Sequence, residues 1–150
     1  MTIPELFVID TNTIIGYFHD VFHVDRVISK KIVNIIQMAL SSYEGIIKLS
    51  IPSIVFVEIF EKWLSDEELS KKFYYEVFLP IKDSPNIEIK PIDAEVLHKI
   101  LGITGILENH DLHDKIILAS AMSLGCKLIT SDPKLIQYVK DTNVISEVIN

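Results

Sequence analysis

The sequence predicts an α/β domain with a mainly parallel central sheet flanked by helices, and three observations predict it. Short apolar runs suited to buried strands (LFVID, IIKLSI, NIEIKPI, KLITSD) alternate with longer segments of helical periodicity. Capping residues and breakers fall between the two kinds of segment. Two of the strands end in an aspartate, Asp10 and Asp132, at the carboxyl edge where sheets of this kind hold their ligands.

In chain order, LFVID is the first strand, and Thr11 to Phe18 start a helix behind it. DRVISKKIVNIIQMAL places Val27, Ile28, Ile32, Ile35, Ile36 and Leu40 on one helical stripe. After the strand IIKLSI, Ser53 is read as the cap of SIVFVEIFEKWL. SDEELSKKFYYEVFLPI opens with a cap-like Ser65 to Glu68 pair, and Pro80 is expected to end it. NIEIKPI is the third strand. DAEVLHKILGITGIL reads as a helix weakened by two glycines, and DLHDKIILASAMSLG as one closed by Gly125. KLITSD, a short helix from Pro133 and a final strand near NVISEVI complete the chain.

At 150 residues and 17.1 kDa, with 49% hydrophobic and 23% charged residues, the chain is expected to be one domain spanning residues 1–150 with a substantial core. Mean hydropathy is high at +0.33, yet Lys48, Pro52 and Glu58 break the longest weakly charged window, so no membrane span is expected. Glu5 and Asp10 stand where an export signal needs a basic start and an apolar stretch, which points to the cytoplasm. The lone Cys126 reads as a small buried residue. A net charge of −7 with a single arginine, Arg26, opposes a protein that coats nucleic acid electrostatically. It leaves room for an enzyme that reaches nucleic acid through a cation, because clustered carboxylates add to the negative sum until cations occupy them.

Asp10 has two readings: the cap of the following helix, or a carboxylate held for a cation. Asp132, just before Pro133, has the same two. If their strands are neighbours, the two acids crowd one another unless a cation intervenes. Asp111 is well placed to cap the next helix, and Asp114 stands in its first turn, where the helix dipole favours an acid. Ala119, Ser120 and Ala121 would let that helix approach the sheet closely and carry Asp114 toward the strand ends. Glu58 has apolar neighbours on nearly all sides, with a salt bridge to Lys62 as the plain explanation. Glu61 reads as a surface acid.

Together these acids and their surroundings resemble the PIN-domain family of metal-dependent ribonucleases. FVIDTNTIIGYF resembles the family's strand-end Asp followed by Thr and Asn. IPSIVFVEIFE resembles its Glu-bearing helix, and DKIILASAMSLGCKLITSD its series of Asp, Ile, Ala, Ala, Gly and Thr-x-Asp. The resemblance implies that Asp10, Glu58, Asp114 and Asp132 form an acidic pocket for Mg²⁺ or Mn²⁺. Asn12 and Thr130 are implied as polar supports behind the ligands, with Thr11 and Ser131 as weaker nominees. It further implies hydrolysis of single-stranded RNA by a metal-activated water, leaving a 3′-hydroxyl and a 5′-phosphate. No acid follows Asp132 within its next turn, and Leu135 stands where an aromatic is common, so a second metal position stays open. With arginine scarce, Lys115, Lys127 and Lys134 are the nearest basic residues for phosphate. Small members of the family are often toxins of VapBC-type toxin–antitoxin pairs, which implies an antitoxin partner and a homodimer. The aromatic segment from Trp63 to Phe78 is the expected surface for either.

Three other readings remain. D10-T-N12 with LITS resembles an incomplete HAD-type phosphotransferase, but only Asp132 and Asp141 remain downstream as acids to complete it apart from Glu147. The pairs His19-Asp20, His110-Asp111 and His113-Asp114 suggest an HD-type phosphohydrolase, an all-helical fold that the strand signals oppose. The histidines read more simply as surface residues, two of which flank the pocket. The third is a catalytically silent PIN-like RNA-binding or assembly module, which usually lacks pocket acids that this chain retains.

Overall fold

The computed structural model describes residues 3–150. Its strands are β1 (Glu5–Ile9), β2 (Ile47–Pro52), β3 (Ile87–Lys90), β4 (Lys127–Ile129) and β5 (Val148–Ile149). They form one five-stranded sheet in the order β3-β2-β1-β4-β5, and every neighbouring pair is parallel. The chain builds outward from β1 to β2 and β3, then returns past β1 to β4 and β5. Strand order therefore reverses at β1, and the crevice between the carboxyl ends of β1 and β4 is the switch point at which such sheets bind ligands. Ile9 pairs with Ile129 there, and the Asp10 amide donates to the Ile129 carbonyl at 3.1 Å.

The helices are α1 (Thr11–Tyr17), α2 (His19–Phe22), α3 (Lys30–Ala39), α4 (Ser53–Lys62), α5 (Glu67–Phe73), α6 (Leu79–Asp83), α7 (Ala94–Leu101), α8 (Leu112–Leu124) and α9 (Pro133–Thr142). Strands buried on both faces, such as Phe7–Ile9 and Leu128–Ile129, carry continuous apolar runs because helices cover both sides. Helix α8 packs on β1, β2 and β4. Its Ala119, Ser120 and Ala121 are at most 1% exposed, so the backbone lies close to the sheet as the small residues suggest. Because α8 leads into β4, its first turn sits at the carboxyl edge of the sheet.

Several boundaries differ from the sequence reading. The helix expected from Asp25 begins only at Lys30, capped by the Ser29 hydroxyl, and Val27 is exposed. Ser53 is the first residue of α4 rather than its cap, since Pro52 precedes it with extended backbone and no side-chain donor or acceptor to cap with. Asp66, not Ser65, caps α5, accepting from the Leu69 amide at 2.8 Å. Gly102 stops α7, and Gly105–Leu107 form a separate 3₁₀ turn with Gly105 at a φ of 69°. The last strand is confined to Val148–Ile149.

Pro80 does not end its helix. Residues Tyr74–Phe78 form a π turn between α5 and α6, with the Leu79 amide donating to the Tyr74 carbonyl. The wider turn moves the carbonyls out of the i−4 register that a proline ring would strike, so the helix runs on to Asp83.

Candidate active site at the carboxyl edge of the sheet

Asp10 leaves β1 at the switch point and is only 5% exposed. One carboxylate oxygen accepts from the Thr13 amide at 2.9 Å and the Thr13 hydroxyl at 2.5 Å, which caps α1. The other accepts from the Thr130 hydroxyl. Burial pushes the Asp10 carboxyl above the usual aspartate range, and these donors, foremost the Thr13 hydroxyl, pull it part of the way back. The cap and the cation-ready carboxylate are thus one arrangement. Thr130 also accepts from the Asp132 amide at 3.1 Å, so one hydroxyl ties the two strand-end acids together. Thr130→Val keeps the volume and removes the donor to a buried charged group, which costs about 2 kcal/mol. The variant's melting temperature should fall by about 4–8 °C, a shift that calorimetry measures directly.

Asp132 caps α9, with Oδ1 accepting from the Lys134 amide at 2.8 Å. Its Oδ2 faces His110 Nε2 at 3.1 Å. The same nitrogen lies 3.0 Å from Asp114 Oδ2. Burial and the nearby Asp132 charge raise the Asp114 pKa to about 6, against the lowering influence of His110. Asp111 caps α8 through the His113 amide at 2.7 Å. Glu58, on α4, forms the expected ion pair with Lys62 at 3.0 Å, yet its side chain is only 12% exposed and it also faces the cleft. Asp10, Thr11, Asn12, Glu58, Lys62, Trp63, Asp111, Asp114 and Asp132 line one cleft of about 340 Å³.

The structure therefore brings Asp10, Glu58, Asp114, Asp132 and Asn12 to one place, with Thr130 buried behind Asp10. Ser131 is exposed. The basic residues need correction. Lys127 opens β4, so it lies at the opposite edge of the sheet, paired with Glu5 and Glu147. Lys115 donates to the Glu108 carbonyl, and Lys134 does not line the cleft, whereas Lys62 does. His110 and His113 are not plain surface residues: their side chains are 14% and 23% exposed and stand among the acids. The donor set suits a divalent cation. An orphaned atom agrees with it: Thr11 lines the cleft, is 3% exposed, and its hydroxyl has no hydrogen-bond partner among the described residues.

The PIN domain family profile matches residues 7–141, from β1 through α9. The chain belongs to the PIN-domain family. The PIN match spans every element that lines the cleft, and the parallel sheet removes the all-helical HD reading. Solved structures share the fold at low identity. VapBC2 from Rickettsia felis, bound to a DNA fragment from its promoter, has a TM-score of 0.64 and 18% identity, covering 97% of this chain and 98% of that one. FitAcB from Neisseria gonorrhoeae has a TM-score of 0.62 and 16% identity, with 96% of each chain covered. A toxin–antitoxin complex from Klebsiella pneumoniae has a TM-score of 0.53 and 19% identity, covering 97% and 96%. No curated protein matches the chain by sequence. No helix among the described residues is long and apolar enough to cross a membrane.

Proposed function

We propose that this PIN domain is a Mg²⁺- or Mn²⁺-dependent endoribonuclease acting on single-stranded RNA in the cytoplasm. The observation that carries the reading is the convergence of Asp10, Glu58, Asp114 and Asp132 on one cleft, where burial first and the nearby Asp132 charge second raise the Asp114 pKa to about 6. A divalent cation bound there supplies Lewis-acid activation of the scissile phosphate and of an attacking water. Asp10 is held rigid for that role by Thr13 and Thr130. Lys62 offers the cleft a positive charge for a phosphate, and the adjacent Trp63 a ring face for an unstacked base. Incubation with single-stranded RNA and Mn²⁺ should release fragments with 5′-phosphate and 3′-hydroxyl ends, and a chelator should stop it. Metal binding without any cleavage would favour the silent RNA-binding module instead.

We further propose that the chain is the toxin of a toxin–antitoxin pair, a reading supported by a structural neighbour described as a toxin–antitoxin complex and by the likeness to VapBC2. Of the aromatic segment, Phe73 is buried while Tyr74 and Tyr75 are 45% and 66% exposed. They pack edge to face at 5.1 Å, and Tyr74 stacks on Phe78 at 6.0 Å. Rigid exposed rings of this kind suit an amphipathic antitoxin helix or a second copy of the chain. Replacing Tyr74 and Tyr75 by serine should weaken that association at least tenfold in sedimentation or titration, with Mn²⁺ affinity unchanged. Parental association by the double variant would remove this surface from the interface.

A further inference from the structure

His110 lies just before α8, in a turn that is anchored rather than free. Its amide donates to the Leu107 carbonyl at 3.0 Å, Leu107 is fully buried, and Lys115 holds the Glu108 carbonyl. The anchored ring places Nε2 at 3.0 Å from Asp114 Oδ2 and 3.1 Å from Asp132 Oδ2. One ring nitrogen carries at most one proton, so it cannot give both carboxylates a full hydrogen bond. The spacing fits something else. An octahedral cation with ligands at about 2.1 Å sets adjacent ligand atoms about 3.0 Å apart, so the nitrogen stands from each oxygen as one ligand of such an ion stands from its neighbour, and one ligand atom from each of the three residues lies within 4.8 Å of the others. Independently, Thr11, whose buried hydroxyl has no hydrogen-bond partner among the described residues, lines the cleft that Asp114 and Asp132 also line.

We propose that His110 is itself a metal ligand: its Nε2 joins Asp114 and Asp132 around one divalent cation and gives the centre a preference for transition-metal ions over Mg²⁺. Imidazole is a good ligand for first-row transition ions, whereas Mg²⁺ is matched by oxygen donors. The inference rests on the nuclease reading only in that both need a cation in this cleft. It adds a nitrogen to a pocket otherwise read as carboxylate alone.

The test is a pulsed electron paramagnetic resonance spectrum of the full chain loaded with Mn²⁺, in which a coordinated imidazole nitrogen modulates the echo. Nitrogen modulation is expected in the parent, lost in His110→Gln and kept in His113→Gln. His110→Gln should also weaken Mn²⁺ binding at least tenfold by titration while changing Mg²⁺ binding less. Mn²⁺ that binds with no nitrogen modulation, or with modulation lost only in His113→Gln, overturns the role of His110 and leaves the nuclease reading intact. Failure of the parent to bind Mn²⁺ at all overturns both. If His110→Gln folds poorly, the His113→Gln spectrum still decides: modulation kept there assigns the nitrogen to His110, and modulation lost there removes it.

Discussion

Asp114→Asn is expected to abolish metal-dependent RNA cleavage while leaving the metal-free fold as stable as the parent or more so. The loss follows from chemistry: an amide occupies the same volume but lacks the charge a divalent cation needs. Losing several kcal/mol of Lewis-acid stabilisation lowers turnover on the order of 1,000-fold. The gain or neutrality in stability follows from position. The Asp114 pKa is raised to about 6 by burial and by Asp132, so at neutral pH the fold holds a carboxylate it would rather hold neutral. Asparagine is neutral at every pH. Turnover measured beside thermal unfolding separates the two effects, and cleavage at the parental rate would take Asp114 out of the site.

The convergence of the four acids was legible through the family resemblance, because cap, dipole and ion-pair readings left each residue open by itself, although each also sits at odds with part of its surroundings. Asp10 and Asp132 follow apolar strands, Glu58 interrupts an apolar helix, and Asp114 precedes small residues that carry its helix onto the sheet. Such conflicts tend to survive where function holds them. The lysines were less legible for a geometric reason. Lys127 is near Asp132 in sequence, but five residues of strand and turn carry the chain from one edge of the sheet to the other. Lys62, one turn beyond Glu58, carried a signal as an ion-pair partner and not as a cleft residue. Pro80 misled because the sequence shows a missing donor and cannot show a π turn that dispenses with it. His110 stands four residues before Asp114, the spacing of neighbours on a helix, but it lies ahead of the Asp111 cap. Only the turn after Gly105–Leu107 brings it back over the acids.

Mn²⁺ should raise the melting temperature of the metal-free protein, and the rise should shrink as the pH falls through about 6. A ligand that binds only the folded state at about 100 times its Kd stabilises by about 2.7 kcal/mol, which for a chain of this size is a shift of about 5–11 °C. The sign of the pH effect follows from Asp114. Its folded pKa is raised from 3.8 to about 6, so its ionisation destabilises the metal-free fold above pH 6. That penalty fades between pH 6 and about 4 as the folded protein takes up a proton first. A proton and a cation therefore relieve the same crowding and compete for the same oxygens. At pH 7.5 the cation meets an ionised Asp114 and gives its full stabilisation; at pH 5 it must displace a proton, apparent affinity falls about tenfold, and the stabilisation should drop to about half. The quantity to compare is the shift produced by Mn²⁺ at each pH, since each metal-free baseline carries every other titrating group. An equal shift at pH 5 and pH 7.5 would mean that the ion does not bind through Asp114, and no shift at either pH would mean that the acids do not form a metal site.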